Sequence, residues 1–205
     1  MRQRHAIVAL GALVVSAFGG AATIDQMDAT RQRGRYFLQA EARLAATPES
    51  IYAVLTDFDD NRYARIFRGY QESRYLEPDA DGTPRVYTRM EGCAMWHCMT
   101  LERTERLETK PPYWIKSTTL PEGSNFKYST SEWVLEPDGD GTMMSYKVEL
   151  EPDFFVPPVI GPWYLKRTLS QGGLRAVTRI EGLARELDGR PPLEPAPPSP
   201  STQGQ

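Results

Sequence analysis

Histidine and cysteine are scarce in this chain of 205 residues, which holds two of each. His5 falls in an N-terminal apolar segment, so His97 is the one imidazole left for the rest of the chain. A lone histidine makes neither a Ser-His-Asp arrangement nor a three-ligand zinc site. No cofactor motif stands out. A basic excess is also missing: 24 Lys and Arg face 27 Asp and Glu, a formal net charge of −3. Following nucleic-acid phosphates takes a basic stripe, and here the cations are scattered among acids, which excludes a nucleic-acid partner. Nor is there an apolar run of the roughly 20 residues that a helical membrane span needs.

What is present begins with a segment to set aside. Arg2 and Arg4 precede the charge-free stretch Ala6 to Phe18, and the small residues Gly19, Gly20, Ala21 and Ala22 follow. That order is the pattern of a bacterial signal peptide, expected over residues 1–22 with a cut near Ala21 or Ala22. It places the protein in the periplasm or secretes it; an uncleaved anchor is the rival reading. At the other end, residues 189–205 carry Pro191, Pro192, Pro195, Pro197, Pro198 and Pro200 with little apolar content. Such a segment buries too little surface to offset its ordering entropy, so a disordered tail is expected.

Between these ends the patterning is sharp. Residues 34–45 alternate, with Leu38, Ala40, Ala42 and Leu44 on one side, as a half-buried strand does. Thr47-Pro48-Glu49 then reads as a helix start, with Thr47 as N-cap and Pro48 in the first turn. Ile51, Val54, Leu55 and Phe58 recur at helical spacing. A second short helix is expected at Tyr63 to Phe67. Residues 70–77, 84–93, 97–107, 113–120, 128–136 and 143–151 read as strands. Turn signals at Asp79-Ala80-Asp81-Gly82, Pro111-Pro112 and Asp138-Gly139-Asp140-Gly141 separate them. Prolines stop the last strand after residue 151. A long helix from Gly161 to Leu187 follows, its stripe built from Leu165, Leu169, Ala176, Val177, Ile180, Leu183, Ala184 and Leu187. Gly172-Gly173 in its middle reads either as close packing on the sheet or as room for a ligand.

This order of elements resembles the START-like superfamily, also called SRPBCC or Bet v 1-like. Within it, the chain resembles the polyketide cyclase and coenzyme Q-binding COQ10-type group. The likeness runs over about residues 36–187, in a domain expected over 34–188, and is carried by ATPESIYAVLTDFDDNRYARIF (46–67), SEWVLEPDGDGTMMSYKVELEP (131–152), the proline-bearing crossover and the closing helix. It implies an α+β helix-grip fold: a curved antiparallel sheet of about seven strands wrapped round the C-terminal helix, with two short helices after strand 1. It also implies an apolar cavity between sheet and helix. Trp114, Trp133, Tyr146, Trp163, Leu165, Leu169, Tyr87, Met90 and Met144 are the residues expected to line it.

Two functional classes follow. The preferred one is a binding or carrier module for an apolar small molecule such as a lipid, quinone or polyketide-like compound, with no protein partner and no catalytic residue. The alternative is an enzyme of the cyclase or aromatase type, with Arg89, Tyr87 and His97 as groups that could polarise a carbonyl. The acidic turns lack the further ligands of a calcium loop, and Asp-Gly is a strong hairpin signal, so turns are expected there. Cys93 and Cys98 flank a bend. Facing each other across it they would form a disulfide, the preferred reading. In one continuous strand their odd spacing would put them on opposite faces as separate thiols.

Overall fold

Alternating strands need partners, and the computed structural model pairs all of them in one sheet. It describes residues 22–67, 69–94, 97–154 and 161–191, with side chains for all of these but 93, 94, 97 and 161–171. In chain order the elements are β1 (Thr23–Gln32), β2 (Arg35–Leu44), α1 (Pro48–Leu55), a 3₁₀ segment (Asp59–Arg65), β3 (Tyr70–Leu76), β4 (Arg85–Ala94), β5 (His97–Lys110), β6 (Trp114–Leu120), β7 (Phe126–Asp138), β8 (Gly141–Pro152) and α2 (Gly161–Leu187). The strands lie in the order β1-β2-β8-β7-β6-β5-β4-β3, and every pairing is antiparallel. This curved open sheet with its C-terminal helix is the helix-grip arrangement that the sequence led us to expect.

The sheet has eight strands where about seven were expected. The addition is β1, which lies before the expected domain start at residue 34. It joins β2 through Arg33 and Gly34, at φ 49° and 90°. A two-residue hairpin with both φ values positive matches the right-handed twist of its strands, and glycine adopts such a value at little steric cost. Met27 and Ala29 are half-buried as alternation requires, but a bulge between Ile24 and Gln26 breaks the period and masks the pattern. Residues 1–21 and 192–205, which hold most of the expected signal segment and tail, lie outside the described residues.

Helix α1 starts as expected: the Thr47 hydroxyl accepts the Ser50 N–H at 3.3 Å, and Ile51, Val54 and Leu55 are buried. A long-range anchor reinforces it. Asp188, just past α2, accepts the Thr47 N–H at 3.1 Å, the Thr47 hydroxyl at 2.9 Å and the Ser50 hydroxyl. The second short helix is displaced from Tyr63–Phe67 to the 3₁₀ segment. Its left-handed residues Asp60 and Asn61 (φ 48° and 60°) kink it, a conformation short polar side chains tolerate. Asn61 Oδ1 accepts the Ser73 N–H at 2.8 Å, which fastens the segment to β3.

Helix α2 keeps the expected limits. A Cβ built on Gly172 would stand 3.2 Å from the Phe67 ring, and one on Gly173 would stand 2.9 Å from the Met27 methyl. Among the described residues the glycine pair therefore serves close packing, with Phe67 on one side and β1 on the other. Val177, Ile180 and Ala184 continue from there into a buried apolar cluster with Ala42, Leu44, Ile51, Leu55, Leu107, Ile115, Leu135 and Met144.

Candidate ligand-binding site

A strand sends successive side chains to opposite faces, so the cluster residues fix which face of the sheet looks inward. Val86 and Thr88 on β4, Glu105 and Leu107 on β5, Ile115 and Ser117 on β6, Ser131 and Leu135 on β7, and Met144 and Val148 on β8 are all buried on that inner face. Trp133 and Tyr146 share it as a cross-strand pair, their rings stacked with centroids 3.9 Å apart. Met144 lies in the fully packed cluster, and Met90 stands half-buried at the far end of the same face of β4.

Trp114 and Tyr87 require correction. Each sits one residue from an inward neighbour, Ile115 or Val86, and so points to the outer face. The Trp114 indole N–H donates to Glu132 at 2.7 Å, with the Lys110 ammonium over its ring. Tyr87 carries the Arg74 guanidinium 4.2 Å from its ring centroid. Arg89, an expected carbonyl-polarising group, shares that outer face 3.5 Å from Glu72. Aromatic character suggested the interior, and strand parity overrules it. The side chains of Trp163, Leu165, Leu169 and His97 lie outside those described.

The inner face instead gathers a polar group absent from the sequence expectations. Arg103 and Glu105, two residues apart on β5, both point inward. Their side chains are only 15% and 5% exposed, and Arg103 Nη2 lies 3.6 Å from Glu105 Oε2. Arg103 also donates to the Tyr70 hydroxyl at 3.0 Å. The Tyr63 ring packs edge-on against Tyr70, and Phe67 packs edge-on against its other side. Behind them Ser117 donates to Glu105 at 2.8 Å, and the Ser117 and Ser131 hydroxyls share a 2.8 Å hydrogen bond. The Tyr146 hydroxyl meets Ser131 in turn. Three buried polar atoms on this side, Arg103 Nε, Ser129 Oγ and the Tyr36 hydroxyl, have no hydrogen-bond partner among the described residues. A buried unsatisfied donor costs about 1–3 kcal/mol.

Protonation follows from the surroundings. Burial works against the Arg103 charge, but Glu105 and the three phenols outweigh it and hold the guanidinium protonated. Burial, aided by the neighbouring Tyr70 phenol, pushes the Tyr63 hydroxyl well above its ordinary value. Tyr146 is likewise raised by burial, against the pull of Arg103. Near neutrality the site thus presents the Arg103 guanidinium and the protonated phenols of Tyr63 and Tyr146. It is donor-rich and suited to an oxygen acceptor: a carbonyl, a carboxylate or a phenolate.

Residues 38–181 match the sequence profile of the family described as polyketide cyclase / dehydrase and lipid transport. The chain belongs to this family. No curated protein matches it. Among solved structures it resembles a START superfamily protein from Mycobacterium smegmatis, with TM-score 0.58 and 18% identity over 74% of this chain and 98% of that one. It also resembles the Zhui aromatase/cyclase from Streptomyces sp. R1128 (0.56, 15%, 75% and 96%) and human STARD10 (0.55, 10%, 80% and 75%). At these identities the likeness shows the shared fold, and the site of this polyketide cyclase and lipid transport family member is argued from its own residues.

The polar group did leave a trace in the sequence. Ser117 and Thr119 have the parity of Ile115, and Ser129 and Ser131 that of Trp133. Hydroxyls on the apolar side of neighbouring strands mark an interior that has to satisfy something polar.

Proposed function

We propose that this protein binds an amphipathic small molecule between the inner sheet face and α2, its apolar body along Trp133 and Met90 and its oxygen-bearing head at Arg103, Tyr70 and Tyr146. Lipids, quinones and polyketide-like compounds share that build. One observation carries the reading: a charged guanidinium, paired with Glu105, stands among phenols on the inner face beside its apolar core, with its Nε unpartnered among the described residues. Burying a charge is costly, and recognition of a ligand oxygen gives that cost a purpose. We further propose that binding takes place after export, on the strength of Arg2 and Arg4, the charge-free Ala6–Phe18 and the small residues Gly19 to Ala22.

Native mass spectrometry of protein purified from its own source tests this, followed by solvent extraction. A co-purifying apolar molecule with a polar oxygen end is the expected finding. No bound molecule, and no uptake of a fluorescent fatty acid, would overturn it.

A second reading rests on the same geometry. Arg103 and the protonated phenols could polarise a carbonyl and stabilise an enolate, as a cyclase requires. Incubation with a linear poly-β-ketone separates the two: cyclised product formed by wild type and lost in Arg103→Met favours the enzyme, while binding without turnover favours the carrier.

A further inference from the structure

Away from the ligand site, a second carboxylate is buried in α2. Glu181 is 2% exposed. Its Oε2 accepts the Ala22 backbone N–H at 2.9 Å, and its Oε1 accepts the Ala45 N–H at 2.6 Å. The cation one helical turn on, Arg185, is committed elsewhere: it donates to the Ala45 and Pro191 carbonyls. Glu181 is therefore a buried anion whose hydrogen-bond partners here are two neutral amides. Such groups are normally matched by a cation. Ala22 is itself buried, at 7% exposure, and β1 begins at the next residue.

We propose that Glu181 is the seat for a free α-amino group at Ala22, created by cleavage of the bond between Ala21 and Ala22. The inference rests on the export reading above and selects one bond among the small residues that could be cut. Hydrolysis of the Ala21–Ala22 peptide by a signal peptidase consumes one water, leaving a carboxylate on Ala21 and an ammonium on Ala22. The ammonium stands where the amide nitrogen now donates, 2.9 Å from Glu181 Oε2. A cut after Ala22 would remove the donor, and a cut further upstream would leave an amide there. Processing would then fasten the start of β1 to α2 by a charged bond that the unprocessed chain lacks.

The first test is the intact mass and N-terminal sequence of the full-length chain expressed in a Gram-negative host and purified from its periplasm. The expected N-terminus is Ala22. A processed chain that starts at any other residue overturns the seat and leaves export standing; an uncut chain overturns both. The second test is thermal stability of the processed protein against pH. An α-amine titrates near 8 in an unfolded chain. Beside Glu181 its folded value is raised, so its stabilisation is present below about 8 and is lost as pH rises through the folded value. The charged groups on the elements packed around it are Asp25, Arg43, Arg185, Asp188 and Arg190. Between about pH 7 and pH 10 wild type should lose more Tm than Glu181→Gln, and acetylation of the α-amine should reproduce the variant's flatter profile. Parallel profiles for all three would overturn the seat.

Discussion

Two parts of one sheet face behave differently. Toward α1 and the C-terminal half of α2, Ala42, Leu44, Leu135 and Met144 meet Ile51, Leu55, Ile180 and Ala184, all nearly inaccessible to solvent. Toward β5 the same face carries Arg103, Glu105, Ser117, Thr119 and Ser131, somewhat less deeply buried and linked by hydrogen bonds and an ion pair. The first part is a core: its residues can be explained by packing alone. The second contains a buried charge and donors without partners among the described residues, which packing alone does not reward. The difference marks the part of the face where we propose that a ligand's polar end is held.

The largest effect expected from breaking this contrast is in the packed part. Leu135→Ala should cost about 3 kcal/mol, by the transfer and cavity terms of a large-to-small core change. Denaturant unfolding measures this, and ligand uptake at the polar part should survive in the folded fraction. At the boundary, Gly172→Val would drive a side chain into the Phe67 ring. Overpacking of this kind costs about 1–3 kcal/mol, and because Phe67 supports Tyr70, ligand affinity should fall as well. A stable variant with unchanged affinity would show that the boundary is looser than described.

The β4–β5 hairpin lies beyond the polar part. The register sets Cys93 opposite Cys98, and Cys98 is disulfide-bonded. We propose Cys93 as its partner. Reduction should raise the intact mass by about two units and cost about 2 kcal/mol, as closure of a short loop implies; no mass change would refute the pairing. The smallest effect is electrostatic. Burial raises the Asp188 carboxyl, but hydrogen bonds from Ser50 and Thr47, with Arg190 nearby, outweigh it and hold the group below its ordinary value. Its stabilisation is therefore complete above the unfolded value near 4 and is lost as pH falls through the lower folded value. Asp188→Asn should lower Tm by a small, constant amount at neutral pH and flatten the acid limb of a Tm–pH curve, so that its gap to wild type closes as pH falls.

The sequence reveals the packed part better than the polar one, for physical reasons. Thr47-Pro48, the Asp138–Gly141 turn and the α2 stripe act locally, so their patterns survive in one dimension. The β1 strand was hidden because its bulge breaks the alternation next to an apolar segment with its own pattern. Trp114 and Tyr87 have the aromatic character of interior residues but the strand parity of the outer face. Arg103 and Glu105 escaped notice because charge usually marks an outer face. Only the register that joins β5 to Ser117 and Thr119 shows them to be inside.

Arg103 is the group we propose to receive a ligand oxygen. The most direct test of this is titration of wild type and of the double variant Arg103→Met/Glu105→Met with dansylundecanoic acid and with pyrene. Removing both ions avoids stranding one of them, so the fold should hold. A charge-assisted hydrogen bond of about 1.5–3 kcal/mol predicts that affinity for the acid falls by roughly tenfold to a hundredfold, while pyrene binds as before. Equal affinity of both proteins for the acid would contradict the account.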